Sequence, residues 1–233
     1  YSLFSNSFSE GSDVQDENGV YLGFTWIPAN HWSITAYSDF AYFAWPKYQT
    51  RESTQSWDNL VSVIFQASRS LALGGRIRYK NKAGTTTERL RLYANLKNAK
   101  WFAKTSVDFS VNREASLMEN EKGTISRGYM LNENLGTTWR WLRLSGSFGY
   151  FHTQDYSSRI YKPGLLYQMS FGSFYGEGIR YALVARSEIN EHLLVIAKLG
   201  TTDYFDRNRI SSGKQEIAGS RQMDLEIQVK WKW

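Results

Sequence analysis

Cysteine is missing from this 233-residue sequence, which removes disulfides, thiolate metal sites and thiol nucleophiles together. Histidine is scarce: His31, His152 and His192 are the only three, and no histidine–carboxylate cluster shows metal-ligand spacing. No apolar run reaches the length of a membrane-spanning helix; the densest, residues 40–45, is far too short. No basic stretch leads into an apolar core at the start, so no secretion signal is present; either it has been removed or the chain is a fragment. Internal repeats, low-complexity tracts and interdomain linkers are also missing, so residues 1–233 are expected to form a single domain. Gly172, Gly176 and Gly178 lack a strand-to-helix setting and are not a phosphate loop. Their expected role is in turns near a strand beginning at Ile179. Neither a metal nor a cofactor is expected, and no catalytic residue is assigned.

Aromatic residues, by contrast, make up 16% of the chain. That is more than a small core needs, and a membrane-interface girdle would use the surplus. The mean hydropathy of −0.49 has the look of a soluble protein. It does not exclude a membrane barrel, in which only half of each strand faces lipid. The net charge of +6 is a weak basic bias, suited to an anionic lipid surface or an anionic cargo.

The dominant signal is alternation with a period of two. At the C-terminal end Met223, Leu225, Ile227, Val229, Trp231 and Trp233 share one face, and Asp224, Glu226, Gln228, Lys230 and Lys232 the other. The same pattern sets Leu90, Leu92, Ala94 and Leu96 against Arg89, Arg91 and Lys97. It sets Trp101, Val107, Phe109 and Val111 against Lys104, Asp108 and Asn112. Strands are predicted at 19–28, 32–43, 57–67, 71–82, 86–97, 101–113, 128–140, 142–151, 179–189, 192–202 and 221–233. Most have the length a tilted membrane strand requires, about 9–11 residues or a little more, rather than the ~5–6 of soluble sheets.

Tight turns are predicted at 29–30, 68–70, 98–100, around Trp141 and at 190–191, and long polar loops at 44–56, 114–127, 154–175 and 203–220. The two kinds alternate along most of the chain, so tight turns collect at one rim and long loops at the other, as in outer-membrane barrels. Trp26, Trp32, Trp101, Trp139 and Trp141 sit beside the tight turns, where an indole suits the headgroup level. Phe40, Tyr42, Tyr79, Phe109 and Tyr150 lie near the opposite strand ends and would form a second girdle. A soluble sandwich is the competing reading, but it would concentrate aromatics mid-strand. The expected fold is therefore all-β, an antiparallel transmembrane β-barrel of outer-membrane type with about 11–12 strands in this chain.

The last strand, with Leu225, Ile227, Val229, Trp231 and a terminal Trp233, resembles the signal that such barrels present to their insertion machinery, which reads an open edge by strand addition. Charges assigned to the lumen are Arg76, Arg78, Lys80, Arg89, Arg91, Lys104, Arg143, Arg180, Arg186 and Lys198, opposed by Asp39, Asp58, Asp108, Glu133 and Glu188. They imply either an anion-preferring pore or basic track, or a lumen filled by structural ion pairs. The interspersed acids favour the second. His152 with nearby Asp155 and Ser157 could imitate a hydrolase, but nearness in sequence does not establish hydrogen-bond contact.

Several segments carry a family resemblance. They are Asn6-Ser7-Phe8-Ser9-Glu10-Gly11-Ser12, Glu17-Asn18-Gly19-Val20-Tyr21-Leu22-Gly23, Gly176-Glu177-Gly178-Ile179-Arg180-Tyr181 and Lys198-Leu199-Gly200-Thr201-Thr202-Asp203-Tyr204. The tail adds Asp206-Arg207-Asn208-Arg209-Ile210, Glu216-Ile217-Ala218-Gly219 and Gln228-Val229-Lys230-Trp231-Lys232-Trp233. Together they resemble the C-terminal β-barrel region of Bacteroidota outer-membrane proteins with a helix-hairpin-helix (ComEA-like) domain. The resemblance implies a cell outer membrane location in a Gram-negative bacterium, and an upstream domain suggestive of DNA contact that nothing here matches. A structural, transport or assembly role comes first among the expected functions. DNA binding or uptake through that missing domain comes second, and an outer-membrane hydrolase third. Expected partners are outer-membrane lipids, the barrel assembly machinery, other outer-membrane proteins, and nucleic acid only through the missing domain.

Strand parity adds one further expectation. Residues 160–169 read as part of an external hairpin, which leaves eleven crossings, whereas single-chain bacterial barrels have an even number. The native protein is therefore expected to carry more strands, and 19–28 is expected not to pair with 221–233.

Overall fold

Alternating side chains build almost the whole molecule. The computed structural model describes residues 17–46, 52–115, 123–166 and 171–231. Its long strands are β1 (Glu17–Trp26), β2 (Trp32–Phe43), β3 (Thr54–Gln66), β4 (Leu71–Lys82), β5 (Thr85–Lys97), β6 (Trp101–Glu114), β7 (Thr124–Trp139) and β8 (Leu142–Thr153). After two short strands, β9 (Ile160–Pro163) and β10 (Phe171–Phe174), come β11 (Glu177–Glu188) and β12 (Leu193–Tyr204). The chain closes with β13 (Arg209–Ile210), β14 (Ile217–Ala218) and β15 (Arg221–Trp231). Eleven strands form one antiparallel sheet in the order β1-β2-β3-β4-β5-β6-β7-β8-β11-β12-β15. The pairs β9–β10 and β13–β14 are separate hairpins inserted between sheet neighbours.

The tight turns close by local chemistry. Asn98 Oδ1 accepts the backbone N–H groups of Lys100 at 2.8 Å and Trp101 at 2.9 Å. Asn190 Oδ1 does the same for His192 and Leu193, and Ser68 Oγ for Ser70 and Leu71. A short polar side chain thus stands in for a backbone acceptor, as in Asx and Ser/Thr turns. The β4–β5 link instead puts Ala83 at φ 47° and Gly84 at φ 79°, two successive left-handed residues that match the right-handed twist of a hairpin.

The two faces differ sharply. Outward residues are apolar and exposed, among them Leu22, Ile77, Leu92, Leu131, Leu135, Leu183, Leu225 and Ile227. The inward face is polar at mid-strand and carries buried Asp58, Ser106, Asp108 and Asn132. A compact apolar cluster of Met130, Phe151, Ile160, Phe174, Tyr204 and Ile210 lies on this side. Phe151 packs its ring 5.4 Å from Phe174 and 5.7 Å from Tyr204. Two inward cross-strand pairs set a glycine under an aromatic ring, Gly74 opposite Tyr93 and Gly136 opposite Phe102. A Cβ on either glycine would fall within 2.1 Å of the ring, so only glycine lets those rings lie flat on the sheet.

Three expectations change. The segment after β8 does form a hairpin, but β9–β10 folds onto the inward face rather than standing outside. Its Ile160 and Phe174 complete the apolar cluster, and its Lys162 reaches Ser106 and Asp108 near the middle of β6. Glu133 is not on the charged inward face. Its register partner is Thr105, on the outward side of β6, and the Thr105 hydroxyl donates to its carboxylate. Strand β7 is polar on both faces around Asn132–Asn134, so local periodicity carries no information there and pairing decides. Of the three glycines expected in turns, only Gly176 has a turn-type φ, at 81°. Gly172 and Gly178 lie inside β10 and β11.

Among the described residues the sheet has two free edges: β1 pairs only with β2 and β15 only with β12, and every residue of β1 after Glu17 is exposed. In an antiparallel meander of eleven strands the first and last run in the same direction.

Candidate functional site

The inward face of β3–β6 gathers the densest charge. Register places Arg76 opposite Arg91 and Arg78 opposite Arg89, two like-charge cross-strand pairs, each destabilising by itself. Two carboxylates answer part of this charge. Asp58 takes both Nε and Nη2 of Arg78, a bidentate pair, and lies 3.5 Å from Lys80 Nζ. Asp108 takes Arg91 Nε at 2.5 Å and the Lys162 ammonium. Asp39 stands opposite Asp58 on the same face. Nine cations (Arg76, Arg78, Lys80, Lys82, Arg89, Arg91, Lys97, Lys104 and Lys162) therefore face four carboxylates (Asp39, Asp58, Asp108 and Glu114) here. Arg76 and Arg89 have no carboxylate among the described residues.

The β9–β10 hairpin roofs this cluster. Arg91 donates to the Tyr161 carbonyl at 3.3 Å. Two guanidiniums lie near the Tyr161 ring, Arg89 at 5.2 Å and Arg159 at 5.6 Å from its centroid, and Arg159 Nε donates to the Tyr161 hydroxyl. Lys104 sits 5.0 Å over Tyr93. Cation–π contacts of this kind hold a cation without neutralising it. Between hairpin and sheet lies a cavity of about 240 Å³ lined by Arg76, Arg78, Arg89, Arg91, Asp108 and Tyr161. On the other side of the hairpin a cavity of about 460 Å³ reaches Lys104, Asn132, Lys162, Arg180, Lys198 and Asp224.

The remaining inward charges form two smaller groups. Arg180 and Lys198 are balanced by Asp224 and Glu226: Arg180 lies 3.2 Å and Lys198 2.9 Å from Asp224, and Lys198 also holds Glu226. Arg143 and Arg186 face each other in register near the tight-turn rim, where Arg186 meets Glu188 at 3.2 Å. Three contributors, Lys162, Asp224 and Glu226, are not assigned to the lumen by the sequence pattern alone. Lys162 was hidden in a segment read as an external loop. Asp224 and Glu226 were visible as the charged face of the last strand, but only its pairing with β12 identifies them as partners of Lys198.

Trp26, Trp32, Trp101, Trp139 and Trp141 are all exposed at the tight-turn end, where Trp231 joins them opposite Leu193. Leu225, Ile227, Val229 and Trp231 alternate along the outward face of β15, and all four are exposed. Trp233 lies outside the described residues. His152, Asp155 and Ser157 are not brought together. His152 Nδ1 points to Glu177 at 3.7 Å and its ring packs on Tyr129. Asp155 accepts from the Ser126 hydroxyl and the Ser157 backbone, each at 2.7 Å; led by the Ser126 bond, these contacts hold its carboxyl below the ordinary range. The Ser157 hydroxyl turns instead to Glu114. Among the described residues no group of three or more histidines and carboxylates has metal-binding geometry.

No protein-family model matches the sequence, and no curated protein matches it. Among solved structures, the chain is similar to a porin refined at 1.8 Å resolution, with a TM-score of 0.59 at 11% identity over 96% of this chain and 64% of the porin. The copper transporter OprC overlaps more loosely, with a TM-score of 0.39 at 12% identity over 91% of this chain and 41% of the transporter. The chain spans less than two thirds of the length of either protein. The porin likeness, together with the amphipathic eleven-stranded sheet, shows the fold: this is an all-β chain with the antiparallel architecture of an outer-membrane-type β-barrel.

Proposed function

We propose that this chain forms the wall of a barrel in the cell outer membrane and that its inner face handles small anionic solutes. The observation that carries the reading is the excess of cations over carboxylates on the inward face of β3–β6. A lumen serving only as a structural filler would be balanced, as it is around Arg180, Lys198, Asp224 and Glu226. Positive walls around a water-filled path favour anions. The full-length protein, reconstituted into planar bilayers under a salt gradient, is expected to conduct with a reversal potential displaced toward the anion. A cation-selective or non-conducting protein would overturn the transport role and leave a structural or assembly role.

The free edges support a second element of the reading, that further strands complete the wall. Exposed strand edges in hydrocarbon leave backbone groups unsatisfied at several kcal/mol each. Direct closure would pair β1 with β15 in parallel, unlike every other pair in the sheet. A Phe24→Cys/Val229→Cys variant, both positions facing outward on the edge strands, is expected to form no intramolecular disulfide in the membrane. Efficient formation would mean that these two edges meet.

A further inference from the structure

The unanswered charge is concentrated at one place, and its geometry defines what would answer it. Arg76 and Arg91 are directly cross-strand, as are Arg78 and Arg89. Arg78 and Arg91 are committed to Asp58 and Asp108; Arg76 and Arg89 are not paired with any carboxylate among the described residues. Arg89 Nε is moreover buried without a hydrogen-bond acceptor among the described residues, which leaves a charged donor unsatisfied. Two uncommitted guanidiniums, one with a dry and unsatisfied N–H, open onto the cavity of about 240 Å³ beneath Tyr161. That volume suits a small solute, not a polymer.

We propose that this cavity is a binding site for the phosphate group of a small solute. Phosphate chemistry fits for three reasons. A phosphate monoester carries about −1.5 to −2 charge at neutral pH, which matches two unpaired guanidiniums, whereas a monocarboxylate would leave one of them unanswered. Its three terminal oxygens accept from several donors at once, and the planar guanidinium fork is the side chain best matched to them. An anion seated between the strands also screens both arginine pairs, removing the repulsion that the register otherwise imposes. The Tyr161 ring, 5.2 Å from the Arg89 guanidinium and accepting a hydrogen bond from Arg159 Nε at its hydroxyl, lines the cavity on the hairpin side. The site rests on the anion-handling reading above and gives it a substrate class. Inorganic phosphate and a small phosphate ester share the chemistry.

The test is calorimetric titration of the full-length protein in detergent micelles with inorganic phosphate, glycerol phosphate and acetate at matched ionic strength. Saturable phosphate binding is expected, with acetate at least tenfold weaker. Arg76→Gln and Arg89→Gln are each expected to weaken phosphate binding tenfold or more, while Arg69→Gln, in the β3–β4 turn, leaves it unchanged. Binding of both phosphate compounds identifies an ester-tolerant site, and binding of inorganic phosphate alone a site for the free ion. Absence of phosphate binding, equal affinity for acetate, or undiminished binding in both variants would overturn the site. Should Arg89→Gln fail to fold, Arg76→Gln decides, because that side chain has no ion pair among the described residues to lose. Conductance separates this outcome from that of the transport role. A conducting protein indifferent to phosphate loses the site and keeps the role, and phosphate binding without conductance does the reverse.

Discussion

Asp108→Ala is expected to release the β9–β10 hairpin from the inner face while leaving the sheet intact. The Asp108 side chain is 8% exposed and the Lys162 side chain 10% exposed, so their ion pair is formed away from water. Removing one partner of such a pair strands the other, at a cost of about 3–5 kcal/mol. Arg91 loses the same carboxylate and with it the geometry that aims its second nitrogen at the Tyr161 carbonyl. The penalty falls on the hairpin rather than the wall, since the β5–β6 ladder runs from Thr85–Glu114 to Lys97–Phe102 without needing the Asp108 side chain. Limited proteolysis between Tyr156 and Phe174, in micelles, is the measurement. Cleavage is expected to rise about a hundredfold or more, the equivalent of ~3 kcal/mol at 1.4 kcal/mol per tenfold. Lys162→Met should raise it less, because Asp108 keeps Arg91. Equal protection of Asp108→Ala and the parent chain would show that the clasp does not hold the hairpin.

A second large effect is expected on the opposite face. Leu92, Val107 and Leu131 are register partners across β5, β6 and β7, near mid-sheet and pointing outward. Leu92 and Leu131 are each 49% exposed, a row left uncovered by protein and apolar, as the lipid-facing side of the proposed barrel wall requires. Arginine at Val107 or Leu92 should cost about 2–4 kcal/mol if the site lies at the bilayer midplane, falling toward the interfaces. The inner-face control is Arg76→Leu, which breaks no ion pair among the described residues and relieves one like-charge contact. Arg91→Leu is unsuitable, because Arg91 is tied to Asp108 and Tyr161. Heat-modifiability on gels and urea unfolding in micelles compare the variants. If Arg76→Leu proves as damaging as Val107→Arg, the assignment of faces is wrong.

The eleven strands of the sheet, and the face taken by most of their residues, were legible in the sequence because alternation is a property of the extended backbone itself. Successive side chains of β4, β5, β6 and β15 must point to opposite sides wherever those strands lie, and in each one set is mainly apolar, with Thr105 the mid-strand exception in β6. The Asx and serine turns at Asn98, Asn190 and Ser68 were legible for the same local reason. Where a strand is polar on both sides, as β7 is at Glu133, periodicity had nothing to report, and only the pairing with Thr105 settled the face.

What the sequence determined by itself was therefore the amphipathic strand, its length and its turns. The tertiary structure decided which charges meet. Asp58 lies 20 residues from Arg78, and Asp108 lies 17 from Arg91; Lys162 comes to Ser106 across 56 residues. Those contacts depend on register between strands and on the docking of a hairpin, and a one-residue slip would turn every partner to the other face. The two unanswered arginines, Arg76 and Arg89, follow from the same register. A period of two tells that both point inward; only pairing places each of them against another arginine.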